Sequence, residues 1–535
     1  MVESLQQALA QAHLAEERGA DLVEFRIDHF TTDPQAVARL IDGSPLPCIL
    51  TCRPEWEGGE YEGDDTQRMA VWDEICRART EQPAEAQERL AANRPAYMDV
   101  ELAAFQRGGD LRQSVKRAVD HPGQVGDAET GLILSTHDFD GRPADLLQKV
   151  EAMLAAPACR VIKLAWRARS LRDNLEAFEL IAASHKPTIA LCMGEYGFPS
   201  RILSRKFNAL MTFAGLDDHS VTAPGQVGVS TMRNLYRWDA INGQTQVFGV
   251  IGDPVGHSLS PHVMNAGFDA TGFNGVYLPL PIPPEYEHFK ATVGAWLDCG
   301  PLHFRGASVT IPHKQNLLRF VSESGGEVEP LAERIGAANT LTVRPDGSLL
   351  ASNTDYAAAL DAIAGALGTG RADLQGLSAA VIGAGGAARA LVAGLATCGA
   401  RVVIHNRTAE RAQALAEELD EDGRVTAAPL ADLAESDARV FVNCTSLGMH
   451  PEVEATPMPV LPPTLGAGTV VFDTVYNPAE TRWLREAGAA GATAVSGIEM
   501  FVRQAAAQFE LWTGESAPRD RFAQIVRQRL AEEPE

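Results

Sequence analysis

Apolar runs recur along the first 235 positions, each followed by a stretch with helical spacing. They are Leu22–Ile27, Cys48–Cys52, Tyr97–Leu102, Leu132–Ser135, Val161–Ala165, Thr188–Cys192 and Leu210–Phe213. Short, nearly continuous apolar runs alternating with amphipathic segments predict a parallel sheet crossed by helices. Seven such repeats in so short a span point to a (β/α) barrel, α/β in class, rather than to an open sheet. The chain itself starts in helical spacing, from Ser4 to Arg18 with Gly19 as the stop. No strand is read ahead of that helix.

One run breaks its own pattern. Lys163 sits in the middle of Val161–Ala165, where an ionised amine needs a partner or a purpose. The chain has only seven lysines among 46 basic residues, so lysine is kept here where arginine is the general choice. An amine, unlike a guanidinium, can lose its proton and form a Schiff base with a ketone. The bland alternative is a lysine reaching out from a strand end. Other polar residues gather at or past the carboxyl ends of the runs, where such barrels place their active sites. These are Glu24, Arg26, Arg53, Glu101, His137, Met193 and the segment Thr222 to Gln226.

Glu24-Phe25-Arg26-Ile27-Asp28, Thr51-Cys52-Arg53, Glu57-Gly58-Gly59, Asp99-Val100-Glu101, Ser135-Thr136-His137-Asp138, Lys163, Pro199-Ser200-Arg201-Ile202 and Ala223-Pro224-Gly225-Gln226 together resemble the type I 3-dehydroquinate dehydratases, which are (β/α)8 barrels. The resemblance covers about residues 5–235. It implies that Lys163 forms an imine with the substrate's C3 ketone, and that His137 shuttles the C2 proton and helps the C1 hydroxyl leave. It further implies that Glu101 orients His137 and that Arg201 holds the carboxylate. Glu24, Arg26, Arg53, Thr222 and Gln226 would serve the hydroxyls and nearby polar groups. Relatives carry a strand before the first helix, so the barrel is expected to lack its first strand here.

Past Asn242-Gly243, a turn signal, the pattern restarts. The expected divisions are a barrel over 1–236, a short linker over 237–245, a substrate lobe over 246–356, a cofactor lobe over 357–500, and returning helices over 501–535. Strands are expected at Val247–Gly252, Val276–Leu280, Ala307–Ile311, Thr340–Val343 and Leu349–Ala351. Ser260 before Pro261 reads as a helix N-cap or as a ligand-binding hydroxyl. From Leu377 the text becomes a strand, then Gly383-Ala384-Gly385-Gly386-Ala387-Ala388, then a helix. That is the dinucleotide-binding arrangement, in which glycines let the backbone approach a pyrophosphate at a helix N-terminus. The next strand ends in Asn406-Arg407-Thr408, with Arg411 one turn on. Arginine stands where a ribose-binding acid would, which predicts NADP rather than NAD.

This half is similar to shikimate dehydrogenase over about 246–530. The residues that carry the similarity are Ser258-Leu259-Ser260-Pro261, Val309-Thr310-Ile311-Pro312-His313-Lys314, Gly336-Ala337-Ala338-Asn339-Thr340, Asn353-Thr354-Asp355, Gly383–Ala388, Asn406-Arg407-Thr408, Asn443-Cys444-Thr445-Ser446-Leu447-Gly448-Met449 and Gln504. It implies a Lys314–Asp355 proton-transfer dyad and Ser258 and Ser260 on a carboxylate. Thr310, Asn339 and Gln504 would take ring hydroxyls, with Tyr476 beside the nicotinamide and Thr445 and Gly497 in the cofactor site. Two departures stand out: Tyr356 where many relatives have glycine, and Gly497-Ile498-Glu499-Met500, closer to the fused plant enzymes.

Composition narrows the partners. A net charge of −24 argues against nucleic acid or an anionic membrane surface, so anionic substrates need local arginine and lysine. The eight cysteines are scattered without a C-x-x-C pair, which predicts reduced thiols, no metal site and a cytoplasmic protein. No apolar run approaches the ~20 residues of a membrane span. The two resemblances name consecutive reactions, dehydration of 3-dehydroquinate and reduction of 3-dehydroshikimate, so each supports the other. A ligand sensor with dead sites would lack Lys163, His137, Lys314 or Asp355, and all four are present. A quinate dehydrogenase is disfavoured by Ser258, Ser260 and Thr310 together.

Overall fold

The computed structural model describes residues 1–30, 33–65, 67–68, 94–122, 129–218 and 225–532. It divides into two compact units, Met1–Thr245 and Gln246–Glu535. No helix among the described residues is long and apolar enough to cross a membrane.

In the first unit six parallel strands run in chain order: β1 (Val23–Arg26), β2 (Cys48–Thr51), β3 (Tyr97–Glu101), β4 (Gly131–Asp138), β5 (Cys159–Arg167) and β6 (Thr188–Met193). The result is a half-barrel sheet. Side chains alternate along a strand, so Ile133, Ser135 and His137 share one face of β4. Val161, Lys163 and Ala165 do the same on β5. Ile49, Ile133, Val161, Ile189 and Leu191 pack together on that inner face, and the polar residues lie further along the same strands.

The expected seventh strand, Leu210–Phe213, is not one. Leu210 N–H bonds to the Thr188 carbonyl, but the chain then turns into a bridge between Gly215 and Gly228, so no ladder develops. Its Met211 and Phe213 still pack on the inner cluster. Beside β1, the N–H of Val2 donates to the Arg26 carbonyl and the Val2 side chain is buried. The expected linker 237–245 is folded against this unit: Ile241 is buried, and Lys206 Nζ donates to the carbonyls of Gly243 and Thr245.

The second unit has two six-stranded sheets. In the first, β7 (Gln246–Gly252), β8 (Gly275–Pro281), β9 (Phe304–Val309), β10 (Glu327–Val328), β11 (Thr340–Val343) and β12 (Leu349–Ser352) take the order β10-β12-β11-β9-β7-β8. In the second, β13 (Ser378–Ile382), β14 (Arg401–Asn406), β15 (Val425–Pro429), β16 (Val440–Asn443), β17 (Val470–Asp473) and β18 (Thr493–Val495) are all parallel, ordered β15-β14-β13-β16-β17-β18. That order reverses at β13, and the crevice beyond a reversal is where doubly wound sheets bind dinucleotides. Thr354–Ala366 spans the expected 356/357 boundary, and Gly497–Thr513 spans that at 500/501. Both helices bury apolar faces, with Tyr356, Leu360 and Ile363 in one core cluster and Val502, Ala506 and Phe509 in another.

Candidate active sites

The first site grows from β5. Lys163 is 6% exposed. Its Nζ donates to Asp99 Oδ2 at 2.7 Å, lies 3.6 Å from Glu24 Oε1, and is 4.5 Å from the centre of the Phe213 ring. Asp99 also accepts from Arg53 and from Ser135 Oγ. Burial alone would raise its pKa, but Arg53 and Lys163 hold it well below the usual carboxylate range. A buried charge is tolerable only when so paired.

The structure corrects the partner of His137. Strand register sets Glu101 level with Ser135, two residues short of His137, and both Glu101 oxygens are taken by Arg53 Nη1 and Arg68 Nη1 at 2.6 and 2.5 Å. Glu57 stands at the imidazole instead. Its Oε1 accepts from the His137 backbone N–H at 2.8 Å and lies 3.1 Å from Nδ1. Glu57 reaches there from a 3-10 turn, Glu55–Glu57, in a loop doubled back so tightly that a Cβ on Gly59 would sit 1.9 Å from the Arg53 carbonyl oxygen. Burial pushes the Glu57 carboxyl up to about 8. Burial, with Arg53 and Lys163 nearby, holds His137 well below its usual value. The same surroundings favour the uncharged form of the imidazole.

Arg53 is turned inward to Asp99, Glu101 and Ser135 rather than left free for substrate. Arg26 forms a two-point contact with Asp28, and Glu24 Oε1 accepts from Thr51 Oγ1. Arg201 is the opposite case. It is 2% exposed, its Nε has no partner, and no carboxylate pairs with it among the described residues. Burial pushes its guanidinium down to about 10, as expected of a cation awaiting an anion. Gln226 lies in a half-buried loop whose Gly225 packs on the Gly194 carbonyl. Thr222 lies outside the described residues.

The second site lies at helix starts around the ends of β9 and β12. Lys314 opens the helix Lys314–Glu323, and its Nζ donates to Asp355 Oδ2 at 2.6 Å, both groups partly exposed. Ser260 is the first residue of its helix, and its backbone N–H donates to Ser258 Oγ at 3.2 Å. A buried chain of hydrogen bonds unforeseen in the sequence begins at Tyr277. Tyr277 OH donates to Ser308 Oγ, and Ser308 Oγ donates to Gln508 Oε1, each at 2.6 Å. Gln508 Nε2 donates to Thr340 Oγ1 at 2.9 Å. Gln508 Nε2 also donates to the Asn339 carbonyl at 3.3 Å, and Gln504 lies one turn before Gln508. Asn339 Oδ1 accepts from the Thr354 N–H at 2.7 Å. Tyr476 is 38% exposed and tilts against Phe501.

The residues expected to hold NADP fit it. Gly383, at φ +116°, brings the β13 end so near Cys444 that a Cβ would lie 3.1 Å from its carbonyl oxygen. Gly385 caps the next helix without a side-chain bond, and a Cβ at Gly385 or Gly386 would meet nothing, which leaves helix N–H groups and open space for a phosphate. Ala384 and Ala387 flank those glycines. Asn406 Nδ2 donates to the Thr408 carbonyl, shaping the turn that presents Arg407. Arg407 and Arg411 are exposed and pair with no carboxylate among the described residues. Thr445 is tied to Asn443, and a Cβ on Gly497 would strike the Val475 carbonyl at 2.5 Å.

A strand lysine set among buried carboxylates, and a parallel nucleotide sheet in one unit with a lysine–aspartate pair, are the features of a lyase joined to an NADP-dependent dehydrogenase. The family profiles agree: Type I 3-dehydroquinase matches residues 1–243, the shikimate dehydrogenase substrate binding domain 250–341, and Shikimate / quinate 5-dehydrogenase 367–452. The chain is 38% identical over 540 residues to the chloroplastic bifunctional 3-dehydroquinate dehydratase/shikimate dehydrogenase of Arabidopsis thaliana, covering 98% of this chain and 83% of that protein. Its second half is 44% identical to the shikimate dehydrogenase (NADP(+)) of Methanosarcina mazei, over 53% of this chain and 99% of that one. Among solved structures, the dehydroquinate dehydratase and shikimate dehydrogenase from S. pombe AroM matches 97% of this chain and 96% of its own at 26% identity, TM-score 0.44. The shikimate 5-dehydrogenase of Thermus thermophilus with NADP(H) and shikimate matches 53% and 99% at 36% identity, TM-score 0.45. The chain belongs to the bifunctional 3-dehydroquinate dehydratase/shikimate dehydrogenase family.

Proposed function

We propose that the first unit dehydrates 3-dehydroquinate to 3-dehydroshikimate through an imine on Lys163, and that the second reduces that product to shikimate. The observation that carries the first step is the Lys163 amine, held between Asp99 and Glu24 in the inner face of the sheet. Its nitrogen adds to the C3 carbonyl and water leaves, giving an iminium whose positive charge Asp99 offsets. His137 takes the C2 proton, and the electron pair moves toward the iminium nitrogen. The C1 hydroxyl then departs as water with a proton from His137, the electrons return, and hydrolysis frees the lysine. Glu57 holds the imidazole at Nδ1, and Arg201 takes the carboxylate.

In the second unit NADPH, when bound, supplies the hydride. The loop Gly383–Ala387, Asn406–Thr408, Arg411 and Thr445 would hold it, with Arg407 on the 2′-phosphate. Lys314 passes a proton to the ketone oxygen and recovers one through Asp355, while Ser258 and Ser260 hold the carboxylate and Thr310, Asn339 and Gln504 the ring hydroxyls. Gly497 and Tyr476 would lie beside the nicotinamide. A cytoplasmic setting is part of the proposal, supported by cysteines that are scattered along the chain and form no disulfide among the described residues. The test is one assay of the whole chain with 3-dehydroquinate and NADPH. NADPH consumption matched one for one by shikimate is expected, and accumulation of 3-dehydroshikimate without NADPH loss would refute the second half.

A further inference from the structure

The Lys314–Asp355 pair is only as good as the placement of Asp355, the second residue of the helix Thr354–Ala366. Asn353 caps that helix. Its Oδ1 accepts from the N–H groups of Asp355 and Tyr356 at 3.1 and 3.4 Å, and its Nδ2 donates to the Ala337 carbonyl at 3.0 Å. The next residue along, Ala338, donates its N–H to the Lys314 carbonyl at 3.0 Å. One side chain thus ties together the backbones that carry both members of the pair.

What fixes Asn353 is a carboxylate. Glu329 Oε2 accepts from the Asn353 N–H at 2.9 Å, and Oε1 accepts from the Tyr356 hydroxyl. Glu329 therefore grips the first helical turn on both sides of Asp355 without touching Asp355 itself. A carboxylate at a helix N-terminus is also favoured by the helix dipole. Behind the grip, Glu329, Asn353, Thr354 and Ala357 border a cavity of about 590 Å³, so close packing does not hold the turn from that side. The tyrosine ring, by contrast, is 9% exposed and packed in the lobe core, so its hydroxyl is a fixed point.

We infer that Glu329 and Tyr356 are positioning residues for proton transfer in the dehydrogenase, clasping the helix start so that Asp355 meets Lys314. This rests on the reading of Lys314–Asp355 as the dyad. A misplacement of about 1 Å can lower a rate by ~10²-fold, while ring and cofactor contacts on other elements stay as they are. The signature is a fall in kcat with little change in KM.

The test uses the full chain, with its own dehydratase turnover to count intact protein and NADP binding as the control for the fold of the second unit. Glu329→Ala should lower kcat for shikimate oxidation by roughly 10- to 30-fold, and Tyr356→Phe by roughly 3- to 10-fold. KM for shikimate and Kd for NADP should stay within about threefold, and the solvent isotope effect on kcat should rise as proton transfer becomes limiting. Glu329→Gln, which keeps an acceptor for Asn353, should recover most of the rate. If Glu329→Ala unfolds the second unit at assay temperature, Tyr356→Phe, which removes a single oxygen, decides the matter. Unchanged kcat in Tyr356→Phe, or a loss in Glu329→Ala that Glu329→Gln does not recover, would overturn the inference. Asp355→Asn separates this from the underlying reading: full activity in that variant would refute the dyad, whereas a collapse there beside unchanged clasp variants would refute only the clasp.

Discussion

The two centres hold a lysine beside an aspartate in opposite ways. Lys163 and Asp99 are strand residues on the inner face of a sheet, 6% and 1% exposed, inside a web of Arg53, Arg68, Glu101 and Ser135. Lys314 and Asp355 stand at helix starts, with side chains 35% and 19% exposed. The difference follows the chemistry. An imine must be kept from bulk water while it forms and reacts, so its charges are paired in a dry interior. A dehydrogenase must admit a large cofactor, so its pair is left partly exposed and the helix start that carries Asp355 is held by hydrogen bonds to the backbone.

The widest gap between the centres should appear on replacing the lysine of the first. Lys163→Ala should lower dehydration by at least about 10³-fold and leave shikimate oxidation intact; both are read from steady-state assays of one preparation. Next, the same change at the two aspartates should differ in stability. Asp99→Asn strands Arg53 and Lys163 in the interior and should destabilise the first unit by about 3–5 kcal/mol, whereas Asp355→Asn should shift the second by about 1 kcal/mol or less. Denaturant titration followed in each unit measures this, and equal losses would break the comparison.

Arg407→Ala removes a charge-assisted contact worth about 1.5–3 kcal/mol. It should weaken NADP by roughly 10- to 100-fold and leave NAD nearly unchanged, as read by fluorescence titration. The smallest effect concerns pH. Folding raises the Glu57 carboxyl from about 4.5, where a free glutamate titrates, to about 8. Its contribution to stability is therefore complete below that lower value and lost as pH rises through the higher one. Glu57→Gln, which cannot ionise, should melt at a temperature that gains on the parent between pH 5 and 8.5 by about 3 °C or more, while dehydration slows. A constant difference across that range would show that the buried carboxyl does not titrate there.

How much was legible depended on whether a feature is local. The six strands of the half-barrel follow from apolar runs, and Lys163 declared itself by interrupting one. Leu210–Phe213 looked the same but failed, because a strand also needs a continuing partner and its chain turns away after one bond. The family resemblance points to Glu101 as the residue that orients His137. Glu57 does so because a loop folds back to a strand 80 positions away, a contact that no spacing reveals. In the second unit the glycine loop and Arg407 were readable as neighbours in sequence. The Tyr277–Ser308–Gln508–Thr340 line and the Glu329 clasp were not, since each joins residues from separate elements.

The chemistry of the first unit turns on Lys163 being the residue that bonds to substrate. Borohydride added to the full chain with 3-dehydroquinate should reduce the imine and leave one covalent adduct, located by peptide mass spectrometry on the peptide containing Lys163 and absent in Lys163→Ala. An adduct on another lysine, or vigorous dehydration with no trapped adduct, would contradict it.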